Sequence, residues 1–392
     1  MDETFKYKYF SDLTDLFNHD YFDFMDLVSH RFNEEEAYMV KKSYDIANGL
    51  HDGQKRKSGE EYIIHPLKVA YALLVYGFDY ETICAALLHD TLEDTSYTKE
   101  ELEHDFNTNI GILVDGVTKM KGSKFLTKEE TKLMTHEKIM NSITLDARII
   151  AIKLADRLHN MYTLDYLSKP KQIEIATETK EFYINLSRIL GIYQVKEQLQ
   201  DLCLFYLNPE LFLKYYDIRM EIKEENFESY RSISRNVKKE LEHENIFMDY
   251  IYKVKNVGSI YDKARSGLLL SEIHDLVAIK MMVNNLKDCY ETLNVIENNY
   301  NVIPNSICDM IKNPKYNGYS TLNVSVKNNS LYNMELKIRT YKMQRQNELG
   351  MVSNWNIENQ KILNEKCSSM INIYKEEIHN NLILKRGKHN EK

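Results

Sequence analysis

Apolar positions recur three and four residues apart from about residue 34 to 207, and from Phe247 onward the spacing shortens to two in several stretches. The first pattern predicts amphipathic helices and the second half-buried strands. Thr98 followed by Glu101 is a capping box that predicts a helix running through Phe106. Ser168-Lys169-Pro170 interrupts the helical pattern, which resumes from Gln172 to Tyr193. Two loops stand out: Gly49 to Glu61, glycine-containing and basic, and Lys119 to Thr127 with its Lys-Gly-Ser-Lys core. Each has the composition to close over an anionic ligand.

Asn208-Pro209 and the charged stretch from Arg219 to Glu244 read as connecting helices. Asp275 to Val283 reads as a buried strand. Tyr319 to Val326 and Asn333 to Thr340 alternate, with Leu322, Val324 and Val326, then Met334, Leu336 and Ile338, on their apolar faces. The expected division is 1–207, then connecting helices 208–246, a second domain 247–355 and a polar, helical or frayed tail 356–392. No internal repeat is visible.

With 392 residues, 43% hydrophobic and 28% charged, the chain has the material for two or three domains with substantial cores. No apolar run approaches the roughly 18 residues that span a bilayer. The start, Met1-Asp2-Glu3-Thr4-Phe5-Lys6, lacks a basic segment followed by an apolar one, so a cytoplasmic location and no membrane partner are expected. Five scattered cysteines without a CxxC pair suggest neither a disulfide framework nor a cysteine zinc site. A net charge of −8 argues against direct nucleic-acid binding. Against it, Lys55-Arg56-Lys57 is a local basic run placed for phosphate capture. The oligomeric state is left open.

The densest chemistry lies in Ile152 to Met161, where Asp156, Arg157, His159 and Asn160 crowd into one and a half turns of an apolar helix. Positions four apart share a face, so Asp156 and Asn160 aim into one pocket. His65, His89, Asp90 and Asp156 make a two-imidazole, two-carboxylate set suited to a divalent ion of intermediate hardness such as Mn²⁺, with Zn²⁺ or Fe²⁺ less well matched. His89 and Asp90 are adjacent and cannot share a helical face, so a common metal requires the helix to end or bend there. Arg157 and His159 leave the helix at another angle and are expected to have structural or supporting roles.

Together with Gly53 to Glu60, His65-Pro66, His89 to Thr95 and Asp115 to Lys119, these residues make a chain that resembles the RelA/SpoT homologues from about residue 30 to Trp355. The resemblance implies an all-α HD-type phosphohydrolase domain followed by an α+β nucleotidyltransferase-like (synthetase-like) domain. It implies hydrolysis of the 3′-pyrophosphate of guanosine tetra- or pentaphosphate to GDP or GTP, with Mn²⁺ on His65, His89, Asp90 and Asp156. Glu93 and Asp94, one turn beyond the ligand pair, are placed to orient water or manage its proton. Arg56 and Lys57 would answer pyrophosphate charge, Asn160 would contact the nucleotide, and Ser58 and Thr163 would lie near the guanosine.

The second half is similar to the family's synthetase motifs but altered. Asp275 matches its Mg²⁺-binding Asp, Glu335 the acidic residue serving the attacking hydroxyl, and Tyr319 the aromatic that stacks on guanine; Lys263 stands in the same motif series. Lys253 and Lys280 replace arginines that clamp ATP, and an ammonium offers neither a flat stacking surface nor a bidentate fork. Asn323 replaces a His, Lys337 a Gln, Gln344 a His, and Asn354 the His before Trp355. Phosphoryl transfer depends on positioning and charge stabilisation, so these losses should be cumulative. A degenerate synthetase is therefore expected, with Mg²⁺ relevant only if that domain is active. A bifunctional enzyme and a non-catalytic nucleotide-binding regulator remain as alternatives. Tyr183 to Gly191 also departs from the family pattern.

Overall fold

The computed structural model describes residues 6, 8–119, 127–273, 275–327, 332–355 and 358–389. The Lys-Gly-Ser-Lys core of the second expected loop, and His274, lie outside these residues. Two compact units emerge: residues 1–172 with 352–392, and residues 173–351.

The first unit is helical. Its elements are α1 (Ser11–Phe17), α2 (Tyr21–Arg31), α3 (Glu34–Leu50), α4 (Ile64–Val75), α5 (Tyr80–Leu88), α6 (Thr91–Asp94), α7 (Lys99–Asp105), α8 (Thr108–Val117), α9 (Lys128–Leu145), α10 (Arg148–Tyr162) and, from the chain end, α19 (Gln360–His389). Side chains choose the starts. Asp20, Asn33, Thr98 and Thr127 each form a reciprocal capping box with the residue three positions on, each cap contributing about 1 kcal/mol. α4 and α5 are almost wholly buried, and α5 packs against α3, α4 and α8, while α10 packs on α4.

α19 is the helical form of the expected tail, but it is not polar on every face. Leu363, Cys367, Met370, Ile371 and Tyr374 recur at helical spacing and are buried where α19 packs on α9. Asn364 fixes the register, donating to the Leu145 carbonyl at 2.6 Å and accepting from the Ala147 amide at 3.0 Å. The apolar stripe is interrupted by enough Asn, Lys and Glu to hide it from an average over the segment.

α11 (Lys169–Glu178) runs through a π-helical turn, Thr179–Tyr183, into α12 (Ile184–Ile189). The second unit continues with α13 (Tyr193–Leu207), α14 (Pro209–Glu225), α15 (Phe227–His243), β1 (Met248–Val254), α16 (Val257–Arg265), β2 (Val277–Val283), α17 (Leu286–Asn299), β3 (Cys308–Asp309), β4 (Leu322–Val326), β5 (Met334–Thr340) and α18 (Tyr341–Leu349). The sheet order is β1-β2-β5-β4-β3, with β2 and β5 parallel and the other pairs antiparallel. Period-two alternation places Ile279, Met281, Leu336, Ile338, Leu322 and Val324 in one core with Ile233, Val237 and Leu241 of α15 and Ile296 of α17.

The compact units divide at Gln172, earlier than the boundary at 207 that the pattern suggested. The cause is α13. Its Asp201 accepts from the Gly258 amide at 2.7 Å and from Asn256 Nδ2 at 2.8 Å, and its Gln200 accepts from Ser259 Oγ at 3.0 Å, all at the start of α16. The close approach needs Gly258, since a Cβ there would lie 2.9 Å from the Gln200 backbone.

Candidate functional site

α5 ends at Leu88, His89 closes it, and Asp90 opens α6. That break lets two adjacent side chains face one point. His65, in the first turn of α4, and Asp156, in the middle of α10, face it from the other side. His65 Nε2, His89 Nε2 and an Asp156 oxygen all lie within 4.8 Å of one another and are buried. Asp90 stands at their edge, with Oδ1 3.3 Å from His89 Nε2 and Oδ2 3.8 Å from His65 Nε2.

The imidazoles are oriented from behind. His89 Nδ1 lies 2.8 Å from the Ala86 carbonyl, and its Nε2, buried without a hydrogen-bond partner, faces the cluster, where, against burial, Asp90 and Asp156 hold the ring above its ordinary value. His65 Nδ1 meets His159 Nδ1 at 2.8 Å, and Phe17 packs edge-on against His159 with ring centres 4.8 Å apart. Burial pushes His65 down to about 4 and His159 well below its ordinary value, so both rings are neutral near pH 7. Burial opposes ionisation of Asp156, but Lys153, donating to Oδ2 at 2.9 Å, together with the two imidazoles holds that carboxyl well below its usual range. An orphaned imidazole nitrogen on His89, the neutral imidazole of His65 and the ionised carboxylate of Asp156 form a donor set that fits a divalent cation.

A polar chain leads outward. Asn160 donates to Asp156 Oδ1, and Arg56 Nη2 donates to Asn160 Oδ1 at 2.9 Å. Arg56 reaches this position from a turn in which its amide donates to the Glu60 carbonyl at 2.9 Å, with Gly59 at φ +89°. Its Nη1 is buried without a hydrogen-bond partner. On the other side Tyr62 hydroxyl lies 2.9 Å from Asp90 Oδ2 and 2.8 Å from Asp94 Oδ2, and Lys119 Nζ donates to Glu93 Oε1 at 2.9 Å. Lys57 is exposed, Ser58 donates to Glu60 Oε2 at 2.8 Å, and Thr163 donates to the His159 carbonyl at 3.0 Å.

Tyr62, Lys119 and Lys153 were given no individual role from the sequence, whereas His159, expected in a structural or supporting role, stands behind His65. Lys153 carried a signal, three residues before Asp156 on one helix. Tyr62 and Lys119 carried none beyond their neighbourhood, because their partners lie 28 and 26 residues away.

In the second unit the residues of one sheet face also converge. Register sets Lys253 opposite Ala278, Lys280 opposite Lys337, and Asn323 opposite Lys337. Lys253 donates to Glu197, and Lys280 to Glu348 Oε1 at 2.8 Å. Lys255 donates to Asp275 Oδ2, and Lys263 Nζ lies 3.7 Å from Oδ1. Against burial, these lysines hold Asp275 down at about 2. Asn323 donates to Glu335 Oε1 at 2.9 Å, and Lys337 Nζ pairs with Oε2 at 3.0 Å. The Tyr319 ring lies among cations, 5.1 Å from Lys315 Nζ and 5.8 Å from the Arg339 guanidinium carbon, with Tyr193 edge-on at 5.5 Å.

Two family profiles match successive parts of the chain without coinciding with the compact units. A family profile described as "HD domain" matches residues 43–193, and one described as "Region found in RelA / SpoT proteins" matches 252–362. The chain is 37% identical over 338 residues to a guanosine-3′,5′-bis(diphosphate) 3′-pyrophosphohydrolase of Aquifex aeolicus, covering 85% of this chain and 47% of that one. It is 37% identical over 317 residues to a GTP pyrophosphokinase of Streptomyces antibioticus, covering 81% and 38%. Among solved structures, one titled as a metazoan ortholog of SpoT that hydrolyses ppGpp matches at 26% identity and a TM-score of 0.32, over 48% of this chain and 95% of that one. The chain thus spans less than half the length of these curated relatives. No helix among the described residues is long and apolar enough to cross a membrane.

Proposed function

Since the chain belongs to the RelA/SpoT family, we propose that its first unit hydrolyses the 3′-pyrophosphate of guanosine tetra- or pentaphosphate, releasing GDP or GTP and pyrophosphate. The observation that carries this reading is His89 Nε2, buried and unpartnered among His65, Asp90 and Asp156. These four would hold Mn²⁺. A divalent ion in that place supplies charge that polarises a phosphoryl oxygen and acidifies water.

The chain's own groups supply the rest. His159 keeps His65 aimed, and Lys153 keeps Asp156 ionised. Glu93 and Asp94 line the same edge, held by Lys119 and Tyr62, and are placed to orient the attacking water and take its proton. Arg56, with one guanidinium N–H satisfied by Asn160 and another free, receives the pyrophosphate oxygens. Asn160 contacts the nucleotide while bracing Asp156, and Lys57, Ser58 and Thr163 bound the space where the guanosine would lie. The reading makes guanine nucleotides the partners and the cytoplasm the location.

The direct test is incubation of purified protein with guanosine tetraphosphate and Mn²⁺, with chromatographic separation of products. GDP and pyrophosphate, and their loss with a chelator, are expected; intact substrate would sink the reading. Arg56→Ala should cost about one to two decades in kcat/KM with metal content unchanged, since a charge-assisted contact contributes about 1.5–3 kcal/mol. Unaltered kinetics would make Lys55-Arg56-Lys57 a solvated turn.

The second unit is read as a degenerate synthetase. Lys253 and Lys280, where an ATP clamp would stand, are spent on Glu197 and Glu348. Little or no guanosine tetraphosphate should form from ATP and GDP or GTP, even with hydrolysis silenced by Asp156→Ala, because misaligned reactants lose about two decades in rate. A bifunctional enzyme is the second reading, favoured by the retention of Asp275, Tyr319 and Glu335 and by relatives named GTP pyrophosphokinase. Synthesis in the Asp156→Ala protein that disappears on Glu335→Ala would establish it.

A further inference from the structure

Asp275, the carboxylate of the second unit that would take Mg²⁺, and Glu335, the other acidic residue of the cleft, do not fit the ion. A nitrogen lies near every oxygen of the pair: Lys255 donates to Asp275 Oδ2, Lys263 lies 3.7 Å from Asp275 Oδ1, Asn323 donates to Glu335 Oε1 at 2.9 Å, and Lys337 Nζ lies 3.0 Å from Glu335 Oε2 as an ion pair that leaves this buried oxygen without a hydrogen bond. Three ammonium groups therefore surround two carboxylates. Binding sites for Mg²⁺ require anionic or neutral oxygen donors with room for water in an octahedral shell. A divalent ion here would enter a cluster that is already net positive.

The three lysines are not equivalent. Lys263, on α16, is 40% exposed at its side chain and free to turn toward an incoming phosphate. Lys337 rises from β5, the middle strand of the sheet, with its side chain 17% exposed, flanked in register by Lys280 and Asn323. Its charge is also felt at Asp275. A shorter, neutral side chain at this position would leave Glu335 Oε2 open.

We infer that Lys337 is a resident cation standing in for the divalent ion of this cleft, and that the second unit binds a purine nucleoside polyphosphate without metal. The inference rests on the degenerate-synthetase reading and deepens it. An ammonium neutralises Glu335 and attracts phosphate oxygens, but it offers no coordination shell that could bridge two phosphoryl groups and hold them in line. Lys255, Lys263 and Arg339 complete a cationic face that suits a polyphosphate as a simple anion. Arg339 agrees with this: it is buried, its Nε has no hydrogen-bond partner, and its described partners, Gln344 Oε1 and Tyr319 hydroxyl, are neutral.

The test titrates GTP into the full chain by calorimetry, once with a chelator and once with excess Mg²⁺. Affinities within about twofold of each other are expected, with a loss of at least about tenfold on Tyr319→Ala to assign the binding to this cleft. Lys337→Gln should weaken GTP at least about tenfold in chelator and recover when Mg²⁺ is restored, since a charge-assisted contact is removed and the carboxylate is opened to metal. A parent affinity that falls tenfold or more on chelation would overturn the inference, and so would the absence of any Tyr319-dependent GTP binding. Neither of those outcomes requires the variant at 337 to fold. Hydrolysis of guanosine tetraphosphate by the same preparations reads the first unit separately, so failure of that activity is distinguishable from failure here.

Discussion

Replacing Asp156 or His89 by Ala should abolish hydrolysis of guanosine tetraphosphate and bound Mn²⁺ together, while leaving a cooperative melt and the helical circular dichroism signal. Asp156 Oδ1 lies 3.3 Å from His65 Nε2 and 3.8 Å from His89 Nε2, so either substitution removes a corner of the donor set. Groups that only support metal ligands cost about 10–100-fold when removed, so loss of a ligand should exceed about 100-fold. His159→Ala supplies that intermediate case. It leaves the donors in place but frees the His65 ring, and should lower metal affinity and be rescued in part by added Mn²⁺. A rate within a few-fold of the parent for His89→Ala at saturating Mn²⁺ would show the metal assignment to be wrong.

Arg148→Ala should produce the largest loss of stability of any single change in the first unit. The guanidinium is 0% exposed. Its Nη1 donates to Asp79 Oδ1 and Glu81 Oε2 at 2.9 Å, and its Nη2 to Asp146 Oδ2 at 2.9 Å. The Trp355 ring lies 3.5 Å from its central carbon. One planar cation thus ties the cap of α5, through Asp79, to the start of α10 and to the segment leading into α19. Removing it leaves three carboxylates facing one another with little water, and breaking a buried pair in this way costs about 3–5 kcal/mol. At about 2–4 °C per kcal/mol for a domain of this size, the melting temperature should fall by roughly 10 °C. Arg148→Lys should recover only part, because an ammonium cannot serve three carboxylates in one plane. A melting temperature unchanged to within about 2 °C would mean that the cluster is solvated and loose.

The two predictions differ in how far the chain announces them. The cluster of His65, His89, Asp90 and Asp156 was legible because its members are chemically unusual: His89 and Asp90 interrupt an apolar helix, and Asp156 and Asn160 share a helical face that is otherwise core. The helix start at Thr98 and the strand faces of β4 and β5 were also visible, since capping and alternation act within a few residues. Arg148 gave no such sign. Its partners Asp79 and Glu81 lie far back in the chain, and an Arg beside an apolar helix start reads as a surface residue until three carboxylates are seen around it.

What this sequence determined by itself was therefore local or compositional: a helical first half, a mixed second half, a break at His89-Asp90, a cluster of hard and intermediate donors, and the substitution of lysines for arginines in the second half. Only the tertiary structure decided that His159 backs His65, that Tyr62 joins Asp90 to Asp94, that α19 buries a stripe against α9, and that each lysine of the second cleft meets a carboxylate. The physical reason is one of range. Periodicity and caps record the interactions of a residue with neighbours three or four places away. The partner of a buried charge is chosen by packing, which brings together side chains as distant as Arg56 and Asn160 and leaves no trace in either one's surroundings along the chain.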